Sequence, residues 1–445
     1  PCSADRKDDE LVMERFYWSD LSEEMRKNAL SRPAAIADDK LVASVREIMA
    51  GVKSNGDKAV NDYTAKFDGV SSQSLLIPEE KLESAWEALP DADKTAIETA
   101  KSNIEQFHLA QKPQDISVKT MKGVYCRRES RAIGTAGLYV PGGTAPLVST
   151  LLMLAIPAKV AGVRNRIIVT PPGKDGQVNQ AILAAAYRCG VTAVYACGGA
   201  QAIAALAYGT ETIPKCDKIF GPGNAWVATA KSLAAQEPGG PGIDLPAGPS
   251  EAMVLAGRKS NATFVASDLL SQAEHDTLAQ VVCVSTSSDK AQEIEDAVQE
   301  QLQTLPRKEI AEQALEYARM IIAESRADVV DIVNRYAPEH LIIQMKDPEM
   351  LVPNIRNAGS IFLGPWTPEA VGDYASGTNH TLPTYGAARS YSGVTLESFI
   401  KYISVQRLTK KGLKNLGPTV ERLATMEELE AHRRAVSLRL ETFND

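Results

Sequence analysis

The chain predicts an α/β protein built on two parallel sheets. From Arg131 onward, short apolar runs alternate with Ala- and Leu-rich helical stretches, the pattern of parallel strands joined by right-handed helical crossovers. Four of these runs stop at glycine: at Pro141-Gly142-Gly143, Pro171-Pro172-Gly173, Gly198-Gly199 and Gly221-Pro222-Gly223-Asn224. A Gly/Pro-rich linker, Glu237-Pro238-Gly239-Gly240-Pro241-Gly242, then marks a boundary, and the same texture starts again beyond it.

Residues 1–32 read as an arm ending at Arg32-Pro33. The spacing of Ile36, Leu41, Val45, Ile48, Met49 and Val52 predicts a helix closed by Ser54-Asn55-Gly56. A second helical region runs from Pro78 to Ala110, broken at Leu89-Pro90-Asp91. Strands are expected at 133–140, 166–170, 193–197 and 218–220, with helices at 146–162, 177–189, 200–208 and 225–236. Past the linker, strands are expected at 252–255 and 279–284, and helices at 261–274, 289–303 and 308–323. Two more strands follow at 341–343 and 359–364, then a loop-rich stretch over 367–393 and a charged helical tail over 419–440.

The glycines matter for their position. All four sets sit at the carboxyl end of a strand, where open α/β sheets bind ligands. Glycine there lets the backbone approach an anion and exposes helix N-termini that favour negative charge. A nucleotide-sized ligand is the expectation. Yet no Gly-x-Gly-x-x-Gly opens the unit and no acidic residue follows in its usual place. A dinucleotide bound here is held in another way.

Composition narrows the class. At 445 residues the chain has room for two or more domains. A net charge of −8 argues against nucleic acid as a partner and gives no support for an anionic membrane surface. No apolar run is long enough to cross a bilayer. Six scattered cysteines without a Cys-x-x-Cys pair read as thiols of a reducing compartment. The acidic first ten residues lack an initiating Met, an apolar signal core and an Arg-rich transit pattern.

Histidine is scarce, and four of the five lie among Glu, Asp, Gln, Gly and Ser. In Ser271-Gln272-Ala273-Glu274-His275, Gln272 and His275 are three apart and share a helix face. Such a pair can begin a metal site, although taken alone it reads first as a solvated helix surface. Glu339-His340 is either a turn entering a strand or an acid–base pair, imidazole being the side chain that titrates nearest neutral pH. Asp373 is a metal ligand or a helix N-cap, the cap being the plainer reading, and it shares a polar loop with His380. His108 reads as structural and His432 as a solvated helix residue. There is no His-Glu-x-x-His and no Gly-x-Ser-x-Gly.

Taken together these motifs resemble the histidinol dehydrogenase family over nearly the whole length. The matching stretches are 137–143, 199–203, 220–224, Gly248-Pro249-Ser250-Glu251, Ser271 to His275, Pro338-Glu339-His340-Leu341, Ser376 to His380 and Glu427 to His432. The resemblance implies two Rossmann-like parallel-sheet domains without the glycine fingerprint, an N-terminal arm, a helical C-terminal tail and an intertwined homodimer. It divides the chain into an arm (1–32), a substrate and zinc domain (33–130 with 249–393), an NAD domain (131–248) and a tail (394–445) that reaches the partner's site. It implies one Zn2+ per subunit held by Gln272, His275, Asp373 and, from the other subunit, His432. Those four residues also face the substrate, together with Ser250, His340, His380 and Glu427. Tyr139, Gln201 and Asn224 would contact NAD, and Glu339 with His340 would form the acid–base pair.

The implied reaction is the two-step oxidation of L-histidinol through L-histidinaldehyde to L-histidine, which closes histidine biosynthesis. The implied compartment is the plastid in a plant and the cytoplasm otherwise, and the Met-less start leans to the plastid. A zinc hydrolase would explain the His/Asp/Gln cluster but leave the glycine-ended strands idle. A non-catalytic zinc or nucleotide sensor on the same fold is the other alternative.

Overall fold

The structure is a computed structural model, and it describes residues 13–33, 39–70, 74–142, 146–246 and 248–443. Its centre is two fully parallel sheets. One has five strands in the spatial order Ala193–Ala196, Asn165–Thr170, Thr135–Tyr139, Lys218–Phe220 and Gly242–Ile243. The other has six, in the order Glu14–Tyr17, Arg319–Ile322, Gln280–Ser285, Glu251–Ala256, His340–Gln344 and Ser360–Leu363.

Both sheets are buried on both faces, which explains why their strands read as continuous apolar runs. In the five-stranded sheet Leu138 and Ile168 enter one core, while Tyr139, Ile167 and Val169 enter the other. The six-stranded sheet divides the same way. Ala252, Val254, Val281 and Ile342 face one side; Met253, Leu255, Val282 and Leu341 face the other. Period-2 alternation thus sorts each strand between two helical layers.

Sequence and structure part at several points. The helices Asp39–Asp68, Glu79–Ala88 and Asp91–Leu109 pack against helices of the five-stranded unit. Their apolar faces share cores with Ile203, Val227, Leu151 and Ile182, and Asn103 on the third of them also donates to the Ala375 carbonyl at 2.9 Å. Part of the expected arm is a strand: Glu14–Tyr17 pairs with Arg319–Ile322 at the edge of the six-stranded sheet. The helix expected over 308–323 stops at Leu315, and buried Met320 and Ile321 enter that strand instead. The first long helix does break at Gly56 (φ 54°, ψ −136°), as expected, but a second helical stretch follows at once and runs to Asp68. Asp373 lies in a short helix, Glu369–Tyr374, within the loop-rich stretch.

The expected tail is longer than its helical pattern. Ile400–Leu408 forms an antiparallel sheet with Val124–Ala132 and Ile116–Met121. Helices Lys410–Met426 and Glu430–Glu441 follow and pack on each other. Much of this assembly is exposed, including Leu423, Met426, Leu429 and Leu438.

The strand order of the five-stranded sheet reverses between Thr135–Tyr139 and Lys218–Phe220, and ligands of such sheets bind at that crevice. The loop after Phe220 is tightly held there. Gly221 has φ 116°, and a Cβ at this position would lie 2.1 Å from the Tyr139 carbonyl oxygen. The Gly221 N–H donates to Asp244 Oδ2 at 2.7 Å, and Lys231 Nζ donates to the Gly221 carbonyl at 2.9 Å. Lys231 and Asp244 also pair directly at 2.5 Å, with side chains 3% and 1% exposed. Lys231→Met would leave the Asp244 carboxylate buried and unpaired. The expected loss is about 3–5 kcal/mol, read as a lower urea midpoint with an unchanged slope.

Candidate active site

The chemistry-bearing residues gather at the amino edge of the six-stranded sheet. Helix Arg326–Tyr336 ends at Ala337, a non-glycine residue in the left-handed region (φ 57°, ψ 65°). Pro338 follows and prevents the helix from continuing, so Glu339 and His340 are turned directly into the strand His340–Gln344. That strand pairs with Glu251–Ala256, placing His340 opposite Ala252.

Both side chains of the pair touch the main chain of Glu251. Glu339 Oε2 accepts the Glu251 N–H at 3.0 Å, and His340 Nδ1 lies 3.2 Å from the Glu251 carbonyl. A carbonyl can only accept, so Nδ1 carries a proton in this contact, and Nε2 has the lone pair whenever the ring is neutral. Nε2 is buried without a hydrogen-bond partner and lies 3.5 Å from Asp373 Oδ1. On the other side, Glu339 Oε2 and Glu369 Oε1 each lie 3.7 Å from Nδ1.

Burial dominates the electrostatics. It pushes the Glu339 carboxyl up to about 8, against the opposing pull of His340 and the Glu251 N–H. Burial likewise pushes Glu369 up to about 8. For His340 burial favours the neutral ring, but Glu369 and Glu339 outweigh it and hold the imidazole well above its ordinary value. Asp373 is held below the usual carboxylate range: burial opposes this, but His340, His380 and His275 prevail. Burial lowers His275 and His380 towards the neutral form that ligates metals. His275 is itself exposed, and it is the protein packed around it that lowers its ring.

Gln272 lies in the last turn of the helix Ala262–Ala273, is 1% exposed, and neither amide atom has a hydrogen-bond partner. A buried amide left unsatisfied on both sides is costly unless something else completes it. A cation would do so, taking the Gln272 oxygen, the neutral His275 ring and the Asp373 carboxylate. Asp373 also belongs to a set with His340 and Glu369 whose ligating atoms all lie within 4.8 Å of one another. The donors here suit a divalent cation.

Other expected residues fall as follows. Ser250 immediately precedes Glu251 and is half-buried. The ring of His380 lies 3.3 Å from Thr150 Oγ1, and Asn379 Nδ2 donates to the Met153 carbonyl at 2.6 Å. The polar loop is therefore docked on helix Val148–Ala161 of the five-stranded unit. Tyr139 is buried beside Gly199, whose N–H donates to the phenol oxygen at 3.3 Å, and burial pushes the phenol up to about 12. Gln201 is buried in helix Gly199–Tyr208, and Asn224 caps helix Ala225–Gln236 through the N–H groups of Trp226 and Val227. These three residues lie at or just beyond the carboxyl ends of the five-stranded sheet.

Glu427 and His432 are not brought to this cluster within one chain. Both are exposed at the tail, where Glu427 ends helix Lys410–Met426 and His432 lies on Glu430–Glu441. Sequence reasoning missed Glu369, whose place after Pro368 reads as an ordinary acidic first-turn residue. It also passed over Asp268, whose position four before Gln272 was the available signal. Among the described cysteines, burial pushes Cys189 and Cys216 up to about 12 and raises Cys197 and Cys283 further. None of these four is an activated thiolate.

A parallel sheet with a switch-point crevice, and a second sheet carrying the buried Glu339, Glu369 and His340, has the architecture of a cofactor-dependent enzyme that works by acid–base chemistry. The family model described as Histidinol dehydrogenase matches residues 31–440. Histidinol dehydrogenase of Mannheimia succiniciproducens is 51% identical over 428 residues, covering 96% of this chain and 99% of its own length. The chloroplastic histidinol dehydrogenase of Arabidopsis thaliana is 49% identical, covering 96% and 91%. The crystal structure of histidinol dehydrogenase from Elizabethkingia anophelis superposes with a TM-score of 0.93 at 46% identity, covering 97% of this chain and 99% of that one.

The chain belongs to the histidinol dehydrogenase family. It is an NAD-dependent oxidoreductase of histidine biosynthesis, oxidising L-histidinol to L-histidine. The hydrolase and sensor alternatives are not favoured. No described helix is long and apolar enough to cross a membrane.

Asp268 offers a test of the cluster's surroundings. It is buried on the helix that carries Gln272, accepts Gln344 Nε2 at 2.6 Å, and burial pushes its carboxyl up to about 6 from 3.8. A carboxyl raised on folding makes the folded state bind more protons, so stability falls as pH rises through that window. Asp268→Asn should therefore match the parent near about pH 4 and exceed it by about 2–3 kcal/mol above about pH 6. Urea unfolding at several pH values would show it; a pH-independent difference would contradict the assignment.

Proposed function

We propose that Glu339 and His340 are the acid–base pair of both oxidations. The setting of the His340 ring carries this reading: Nδ1 faces the Glu251 carbonyl, so in the neutral ring Nε2, 3.5 Å from Asp373 Oδ1, is the base. In the first step Nε2 takes the proton of the histidinol hydroxyl while hydride passes to the nicotinamide of NAD+, giving L-histidinaldehyde. Glu339 then takes a proton from water as its oxygen adds to the aldehyde carbon. The resulting diol gives up a second hydride to a second NAD+. In sum, histidinol, water and two NAD+ yield histidine carboxylate, two NADH and three protons. No thiol is needed, in keeping with the raised, buried cysteines.

The cofactor reading assigns NAD to the five-stranded unit, through Tyr139, Gln201 and Asn224, and zinc and substrate to the six-stranded unit. The proposed zinc ligands are Gln272, His275 and Asp373, with His432 from a second copy of the chain. Bound zinc is redox-inert and supplies a Lewis-acid anchor for the substrate's imidazole and amine. Ser250, His340, His380 and Glu427 complete the substrate contacts. The exposed apolar tail supports the homodimer, because a pair of helices showing Leu423, Met426 and Leu438 needs a surface to cover them. The chloroplastic relative supports a plastid location for a plant chain; the cytoplasm is proposed otherwise.

Replacing His340 with Asn should lower turnover about 10²- to 10⁴-fold while the zinc-bound dimer still assembles; an unchanged turnover number would sink the assignment. The shared site has its own test. His432→Ala chains mixed under exchange conditions with His275→Ala chains should recover activity, because one site of each mixed dimer regains all four ligands. Absence of recovery would mean that His432 serves its own subunit or no site.

A further inference from the structure

Arg32 lies far from the acid–base pair in sequence, in the segment expected to be an arm, yet its contacts converge on that pair. Its guanidinium grips the Glu251 carboxylate with two bonds, Nε to Oε2 at 2.5 Å and Nη2 to Oε1 at 2.8 Å. The pair is almost dry, with side chains 11% and 2% exposed. Nη2 also donates to the Tyr336 carbonyl at 2.8 Å and approaches that of Ala337 at 3.4 Å. The guanidinium carbon lies 3.9 Å from the centroid of the Tyr336 ring. The Tyr336 hydroxyl donates to Gln280 Oε1 at 2.8 Å, and Gln280 Nε2 returns to the Ser31 carbonyl at 2.9 Å.

These contacts hold both sides of the catalytic turn. Tyr336 and Ala337 are the residues from which Glu339 and His340 emerge, and Ala337 occupies a left-handed conformation disfavoured for a residue with a side chain. Glu251 supplies the N–H that binds Glu339 and the carbonyl that binds His340. One planar cation therefore fixes the strand that receives the pair and the turn that delivers it. Lysine cannot reproduce this, since a point charge lacks the fork that meets a carboxylate and a carbonyl together.

We infer that Arg32 is a positioning residue for the reaction: through Glu251 and the Tyr336–Ala337 turn it sets the placement of Glu339 and His340. This rests on the proposed roles of that pair. Arg32 touches neither zinc ligand nor nucleotide residue in the contacts above, so its loss acts on turnover rather than on cofactor binding. A displacement of about 1 Å at reacting groups costs about 10²-fold in rate.

The test uses the full-length, zinc-loaded enzyme, with histidinol and NAD+ as substrates. Arg32→Ala should lower kcat about 10- to 100-fold while KM for NAD+ and zinc content change less than about twofold. Millimolar guanidinium chloride should restore part of the lost kcat by refilling the vacated place. Arg32→Lys should show the same split without that rescue, and it serves as the reading variant if Arg32→Ala does not fold. Unchanged kcat in the folded variant would overturn the inference, as would a loss that merely follows lost zinc, lost NAD+ affinity or a lower folded fraction. A parallel His340→Asn enzyme separates the two claims. If it turns over normally, the acid–base reading fails; if it is slow while the Arg32 variants are normal, only the positioning role fails.

Discussion

The site depends on keeping charge buried at the amino edge of a sheet. Glu339, Glu369 and His340 lie almost fully out of water, with Asp373 nearby. Isolated, each ion would be expelled or neutralised. Gathered, they share protons as one coupled set: the carboxylates raise the ring, and the ring draws the carboxylates down. The proposed proton transfer at neutral pH would draw on this balance. A lone glutamate would be fully ionised there, whereas a buried one poised near the working pH can both take and return a proton.

The position of that cluster explains the two-sheet architecture. In the five-stranded unit the ligand crevice lies at the carboxyl edge, as the strand order dictates. In the six-stranded unit the reactive residues lie at the opposite, amino edge, at Glu251, His340 and the turn before it. The loop carrying Asn379 and His380 joins the two units by bonding to Met153 and Thr150. In the proposed reading, a hydride acceptor on one unit and a proton acceptor on the other would meet at one alcohol, taking hydride from its carbon and the proton from its hydroxyl.

The sequence made the sheets legible because their strands are apolar runs punctuated by glycine and proline, a local signal. Its failures came where the partner is remote. Arg319–Ile322 reads as the end of a helix until the strand Glu14–Tyr17 is seen beside it. Periodicity gave helices 39–109 an apolar face without naming what covers it, and in the fold much of that cover comes from the five-stranded unit. In the site, Gln272, His275, Glu339, His340 and Asp373 stood out through residue type and family resemblance. Glu369 and Arg32 did not, because a buried acid and a surface acid, or an arm arginine and a buried clamp, have the same letters. Burial and the direction of a side chain arise only in the folded chain.

The same distinction bears on the tail. His432 and Glu427 match the family's motif, yet both are exposed and apart from the cluster in a single chain. Exposed leucines and methionines beside them, on helices that pack mainly on each other, would be an aggregation hazard on a monomer. Gln272 presents the complementary deficit, a buried amide with neither atom satisfied. In the proposed homodimer, a second copy of the chain would cover the apolar surface of the tail and bring His432 to the site. One association would then bury the tail and complete the metal's coordination, so that assembly and catalytic competence become a single event.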